Sequence, residues 1–164
     1  MLSQQRASLL SPQKPSGRIA ALDLGEAYTG VAISDSGRVL ARPLEVVPAD
    51  RLVEYLRALF EEENVAEVVA GVPRTLKGEV GFQAKRALTK LDALKKTFPR
   101  VDFVEWDERL TTRQIISSRR RDWTGQRKGR VRERVDHLAA ASMLQEYLDR
   151  KETVEAVRRR LPQA

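Results

Sequence analysis

At 164 residues the chain has room for one domain with a full hydrophobic core, and not comfortably for two. Cysteine is absent, which excludes disulfides, thiolate metal sites and a thiol nucleophile and fits a reducing cytoplasm; no apolar run approaches bilayer length, so no membrane role is expected. A formal charge of +7 on a soluble composition (41% hydrophobic, 32% charged) points to a polyanionic partner, most simply nucleic acid.

Residues 1–17 are polar, contain Pro12 and Pro15, show no sustained period and read as a flexible N-terminal tail. Residues 18–35, RIAALDLGEAYTGVAISD, read as a β-hairpin. An apolar run from Ile19 to Leu22 carries Asp23 and then Gly25, and a second run returns through Gly30, Val31, Ala32 and Ile33. Gly37 marks another turn. Arg38–Val47 is expected to be a third strand, at an edge because it contains Pro43. In residues 49–63, Leu52, Leu56, Leu59 and Phe60 share one helical face. A strand over Glu67–Val72, a loop with Gly78 and Gly81, and a helix over about Gln83–Lys96 follow, and Val101–Asp107 is the next strand. Strands joined through helices are expected to be parallel, so the sheet is mixed.

Leu110 to Gln114 opens a short helix, with Thr111 and Gln114 at capping-box spacing. Residues 119–134, RRRDWTGQRKGRVRER, carry no apolar repeat and are expected to form a mobile basic loop. A helix returns from Val135 to about Asp149, its run Leu138–Ser142 suited to close packing on a sheet. Residues 150–164 are expected to fray as a basic C-terminal tail, which leaves 18–149 as the folded domain.

Carboxylates meet apolar neighbours at three places: Asp23, the Asp107–Glu108 pair, and Asp136. A buried carboxylate is costly unless paired, and a metal ion is one such partner. Side chains alternate along a strand, so only one of Asp107 and Glu108 shares a face with Asp23, and alternation alone does not choose. Asp136, Ala140 and Met143 share a helical face, which would carry Asp136 toward the sheet. Singly, each acid has a plain explanation: a turn cap for Asp23, a strand end for Asp107, a favourable helix dipole for Asp136. Together they meet what a hard-cation site requires, oxygen ligands converging from separate elements. His137 adjoins Asp136 but diverges from it around the helix, and reads as packing or surface.

The stretches DLGEAYTGVAISD (23–35), GVPRTLKGEVGFQA (71–84), DERLTT (107–112) and VDHLAAASMLQEYL (135–148) resemble the YqgF/RuvX family. These are RNase H-like proteins described as candidate Holliday junction resolvases and as pre-16S rRNA nucleases. The resemblance covers roughly residues 18–149. It implies an α/β, RNase H-like fold, a mixed five-stranded sheet flanked by helices. It also implies that Asp23, Glu108 and Asp136 are the catalytic metal ligands, with Asp107 a neighbour only. The implied activity is a two-metal endonuclease using Mg²⁺ or Mn²⁺ and leaving 5′-phosphate and 3′-hydroxyl ends. Where the family commonly has a basic pair in the first hairpin, this chain has Ala27–Tyr28.

The basic segment is the other functional feature. Arg119, Arg127, Lys128, Arg130 and Arg132 suit phosphate contacts, and Trp123 suits base stacking. Thr111, Thr112 and Arg113, beside Glu108, suit a phosphate close to the metals. The expectation is a cytoplasmic endonuclease, monomer or homodimer, acting on an rRNA precursor, on branched DNA, or on both. The alternative is a nucleic-acid-binding, ribosome-associated factor with weak or no catalysis. A third reading, a phosphotransferase of the actin and sugar-kinase superfamily, whose first hairpin resembles DLGEAYTGVAIS, would need two such domains closing on ATP, and 164 residues are too few.

Overall fold

The computed structural model describes residues 17–73, 80–107 and 130–160, with side chains from residue 138 onward in the last span. In chain order these are β1 (Arg18–Leu24), β2 (Tyr28–Ser34), β3 (Ala41–Pro48), α1 (Leu52–Glu62), β4 (Val65–Val72), α2 (Phe82–Thr97), β5 (Asp102–Asp107) and α3 (Arg130–Arg160). They form one five-stranded sheet in the order β3-β2-β1-β4-β5. β1, β2 and β3 pair antiparallel, while β4 lies parallel to β1 and β5 parallel to β4. The mixed sheet, the meander and the edge position of Pro43 are as expected from the sequence.

β1 is apolar almost throughout because both faces of the sheet are covered. Ala20, Leu22 and Leu24 pack with Val31, Ile33, Val68 and Ala70 against Leu56 and Leu59 of α1 and Ala87, Leu91 and Leu94 of α2. Burying each of the two α2 leucines contributes about 1.5–3 kcal/mol. Ile19, Ala21, Ala32 and Val69 pack on the other face against Ala140, Met143, Leu144, Tyr147 and Leu148 of α3. The alanines on both sides of that interface leave room for the helix to lie close. Leu138, by contrast, is exposed.

Three elements differ from the sequence expectation by two residues or more at an end. β3 starts at Ala41 rather than Arg38, because Asp35 Oδ1 accepts the backbone N–H groups of Val39 (2.7 Å) and Leu40 (3.0 Å), holding 35–40 as a turn. Those two bonds keep the Asp35 carboxyl below its ordinary range. β4 starts at Val65, where Asn64, at φ 50, turns the chain out of α1. The last helix runs from Arg130 to Arg160, longer at both ends than the expected 135–149. The end of the predicted basic loop is therefore helical, and the segment expected to fray continues the helix. Arg, Glu, Lys and Ala are strong helix formers without an apolar stripe, and Glu155 and Arg159 pair at 2.8 Å one turn apart. The short helix predicted after Leu110, its Thr111–Gln114 cap and residues 119–129 lie outside the described residues. No described helix is long and apolar enough to cross a membrane.

A buried carboxylate fastens α3 to the sheet. Glu67 of β4 accepts the Tyr147 hydroxyl and two hydrogen bonds from Lys151 Nζ, each 2.7 Å, with Arg38 NH1 at 3.9 Å. Gln145 clamps the edge as well, accepting Ala41 N–H and donating to the Val39 carbonyl, each at 2.9 Å. Replacing Glu67 by Ala is expected to lower unfolding free energy by about 1.5–3 kcal/mol, read from urea titrations, because charged donors lose their acceptor. Burial first, then the Glu67 hydrogen bond and charge, push the Tyr147 phenol well above its ordinary value of 10.0. A phenol held neutral in the fold stabilises it below pH 10 and loses that contribution as pH rises above 10, where only the unfolded chain ionises. Tyr147→Phe should remove this part of the alkaline loss.

Candidate active site

Asp23 sits at the C-terminal end of β1 on the α3 face, in line with Ile19 and Ala21, and is only 8% exposed. Its partner on β2 is Gly30 and its partner on β4 is Gly71. Directly paired residues project from the same face of a sheet, so both flanks of the carboxylate carry no side chain. Gly71 pairs in turn with Trp106 of β5, which completes a row Gly30–Asp23–Gly71–Trp106 across four strands.

The turn that follows depends on Gly25. Its N–H donates to the Tyr28 carbonyl at 3.0 Å, and a Cβ at residue 25 would run into that same oxygen. Two cations reach this turn from α2. Arg86 NH1 pairs with Glu26 Oε1 at 2.5 Å, and Lys90 Nζ donates to the carbonyls of Gly25 (2.6 Å) and Glu26 (2.8 Å). Tyr28, within the Ala27–Tyr28 pair, is half exposed.

Register places one of the two acids that alternation left open. Asp107 pairs with Val72, whose side chain belongs to the α1/α2 side with Val68 and Ala70, while Val104 and Trp106 pack on the α3 side. Asp107 therefore lies on the face opposite Asp23. Glu108 follows β5 and lies outside the described residues. Asp136 lies within α3, its side chain outside the described ones; Ala140 and Met143, which share its helical line, are buried against the sheet. Thr111, Thr112, Arg113, Arg119, Trp123, Arg127 and Lys128 lie outside the described residues, and Arg130 and Arg132 are placed only as backbone of α3.

Among the described residues no group of three or more His, Asp or Glu is arranged to hold a metal ion. What is described fits one. Asp23 is a hard oxygen donor flanked by two glycines, the donor chemistry that suits Mg²⁺ or Mn²⁺.

The RuvX family model, described as Holliday junction resolvase, matches residues 17–150. The chain belongs to the RuvX family. A RuvX-family relative from Rubrobacter xylanophilus, named as a candidate pre-16S rRNA nuclease, is 62% identical over 135 residues, covering 82% of this chain and 94% of its own. A Mycobacterium tuberculosis H37Rv protein of the same name is 38% identical over 138 residues, covering 82% and 80%. Among solved structures, Thermus thermophilus RuvC in complex with a Holliday junction substrate superposes with a TM-score of 0.48 at 16% identity, covering 84% of this chain and 97% of that one. For a RuvX-family chain, the mixed five-stranded sheet is the RNase H-like arrangement that the motifs implied. Sequence reading singled out Gly30 near Asp23 but not Gly71, which only the pairing with β4 brings to its other side. Nor did it find Glu67, whose partners come from a helix 80 residues later.

Proposed function

We propose that this chain is a metal-dependent endonuclease hydrolysing phosphodiester bonds in structured nucleic acid. Its physiological reaction is 5′-end maturation of pre-16S rRNA, resolution of Holliday junctions, or both, in the cytoplasm. The observation that carries the reading is Asp23: a buried carboxylate at a strand end, flanked by two glycines on the α3 face. In this reading Asp23, Glu108 and Asp136 hold two Mg²⁺ or Mn²⁺ ions. Glu108 shares the sequence parity of Val104 and Trp106, the residues of β5 that face α3.

Asp136 is proposed to supply the third carboxylate from α3, 11 residues before Tyr147 and on the helical line of Ala140 and Met143, which are buried against the sheet.

Such cations, when bound, stabilise charge on the attacking and leaving oxygens of an in-line displacement at phosphorus. The three carboxylates keep them fixed, and Thr111, Thr112 and Arg113 orient the scissile phosphate. A water oxygen bonds to phosphorus as the P–O3′ bond breaks, which leaves a 5′-phosphate and a 3′-hydroxyl. Arg119, Arg127, Lys128, Arg130 and Arg132 hold the backbone of the substrate and Trp123 stacks on a base. Ala27–Tyr28 favours a second reading, a ribosome-associated nucleic-acid-binding factor with weak or no catalysis. Cleavage assays on structured RNA and DNA with Mg²⁺, Mn²⁺ or EDTA separate the two. Metal-dependent products support the nuclease, and binding without products supports the factor.

Neutralising Arg127, Lys128, Arg130 and Arg132 together should weaken binding and flatten its salt dependence. Each lost phosphate contact removes roughly 0.7–0.9 from the log–log slope. Turnover at saturating substrate should fall less than binding does. Trp123→Ala should cost on the order of 1–3 kcal/mol on substrates with unpaired bases and spare plain duplex. Salt titrations of both variants on duplex and looped substrates check this; an unchanged slope reduces the segment to a solvated charge run.

A further inference from the structure

We propose that Phe82, braced by Arg86, is a stacking platform for an unpaired base of the nucleic-acid substrate, on the α2 side of the β1–β2 turn. The proposal rests on the nucleic-acid reading above and names a contact outside the acids and the basic segment. Phe82 is 73% exposed, more than any other exposed large hydrophobic among the described residues. It opens α2 but stands off that helix's buried stripe of Ala84, Ala87, Leu91 and Leu94, so the core does not account for it. Its ring is held all the same: the Arg86 guanidinium lies 5.2 Å from the ring centroid, one helical turn on.

Arg86 also pairs with Glu26 at 2.5 Å, while Lys90 donates to the carbonyls of Gly25 and Glu26. These contacts hold Arg86, and with it the side chain that braces Phe82, against the β1–β2 turn on the α1/α2 side of the sheet. Tyr28, half exposed, places a second aromatic on the same turn.

Charge selects the occupant. α2 carries Lys85, Arg86, Lys90, Lys95 and Lys96 against the single acid Asp92, and its first turn has no acid. An exposed aromatic ring on a basic helix suits a nucleotide, whose base offers a π-face and whose phosphate offers a negative charge. The base must be unpaired, because bases inside a duplex already have both faces stacked. A flank leaving the scissile phosphate as a loop, gap or branch meets that condition.

The test measures equilibrium binding of the full chain in EDTA, so that no cleavage intervenes, to labelled stem-loop, gapped and blunt duplex oligonucleotides. Phe82→Ala should lose about 5- to 150-fold in affinity for the stem-loop and gapped oligonucleotides. It should bind blunt duplex as wild type does, and Phe82→Tyr should retain most of the lost affinity. Because Phe82 lies outside the core, its thermal unfolding should be unchanged. Equal affinity of Phe82→Ala and wild type for looped substrate would overturn the platform, as would an equal loss on looped and blunt substrates. Loss of a wild-type dimer in Phe82→Ala, seen by sedimentation without the looped-substrate defect, would overturn it in favour of a second copy as occupant. A wild type that binds looped oligonucleotides through Phe82 but cleaves none with Mg²⁺ or Mn²⁺ supports the platform and refutes the nuclease reading. A wild type that binds no oligonucleotide refutes both.

Discussion

Replacing Asp23 by Asn is expected to abolish cleavage while leaving the fold and the affinity for nucleic acid largely intact. Asn has the size of Asp, so the place between Gly30 and Gly71 is filled as before. What is lost is the negative charge that is proposed to face a cation. Losing one preorganised electrostatic contact in an active site costs on the order of 10²–10³-fold in rate, and a metal ligand sits at the upper end or beyond. The stability change should be small, since the side chain keeps its size and its place between the two glycines. Single-turnover cleavage beside a thermal melt distinguishes loss of chemistry from loss of fold. A variant that cleaves at near wild-type rate means that Asp23 holds no catalytic cation.

The second large effect is a contrast between neighbours. Glu108→Gln should reduce cleavage far more than Asp107→Asn, by on the order of 10²-fold or more against a change of a few-fold. The ground is the β4–β5 register. Gly71 pairs with Trp106 and Val72 with Asp107, so Asp107 belongs to the α1/α2 face and Trp106 to the α3 face that Asp23 shares. Parallel kinetics on the two variants decide it. Equal losses, or the reverse order, would show that Asp107 reaches the scissile phosphate.

The same pair of residues shows how far sequence carries and where it stops. The hairpin and its acid were legible because two β-branched and apolar runs are punctuated by Gly25 and Gly30 around a lone carboxylate. The edge strand was legible from Pro43. Choosing between Asp107 and Glu108 was legible only through the family resemblance and not from alternation, because a strand covered on both faces has apolar residues at both parities. Pairing with β4 adds that Asp107 lies on the α1/α2 face.

The extent of α3 was hidden for a related reason. Beyond Tyr147 and Leu148 the helix leaves the core, and Val154 and Val157 stand exposed among charges. No apolar period announces it, and the helix-forming Arg, Glu and Lys read as a tail. The punctuation was present in Gly129 just before the helix and Pro162 just after it. The Glu67 contacts with Tyr147 and Lys151 join positions 80 and 84 residues apart. A lone acid opening an apolar strand gives no local sign of such partners.

The measurement closest to the central claim maps the ends of the products. Wild-type protein is incubated with a structured rRNA-precursor fragment and with a four-way DNA junction, in Mg²⁺, in Mn²⁺ and in EDTA. The predicted result is cleavage of at least one substrate only with a divalent cation, every new end being a 5′-phosphate or a 3′-hydroxyl, and none of it with Asp23→Asn. Cleavage that persists in EDTA, or ends that carry a 2′,3′-cyclic phosphate, would contradict a carboxylate-held metal site.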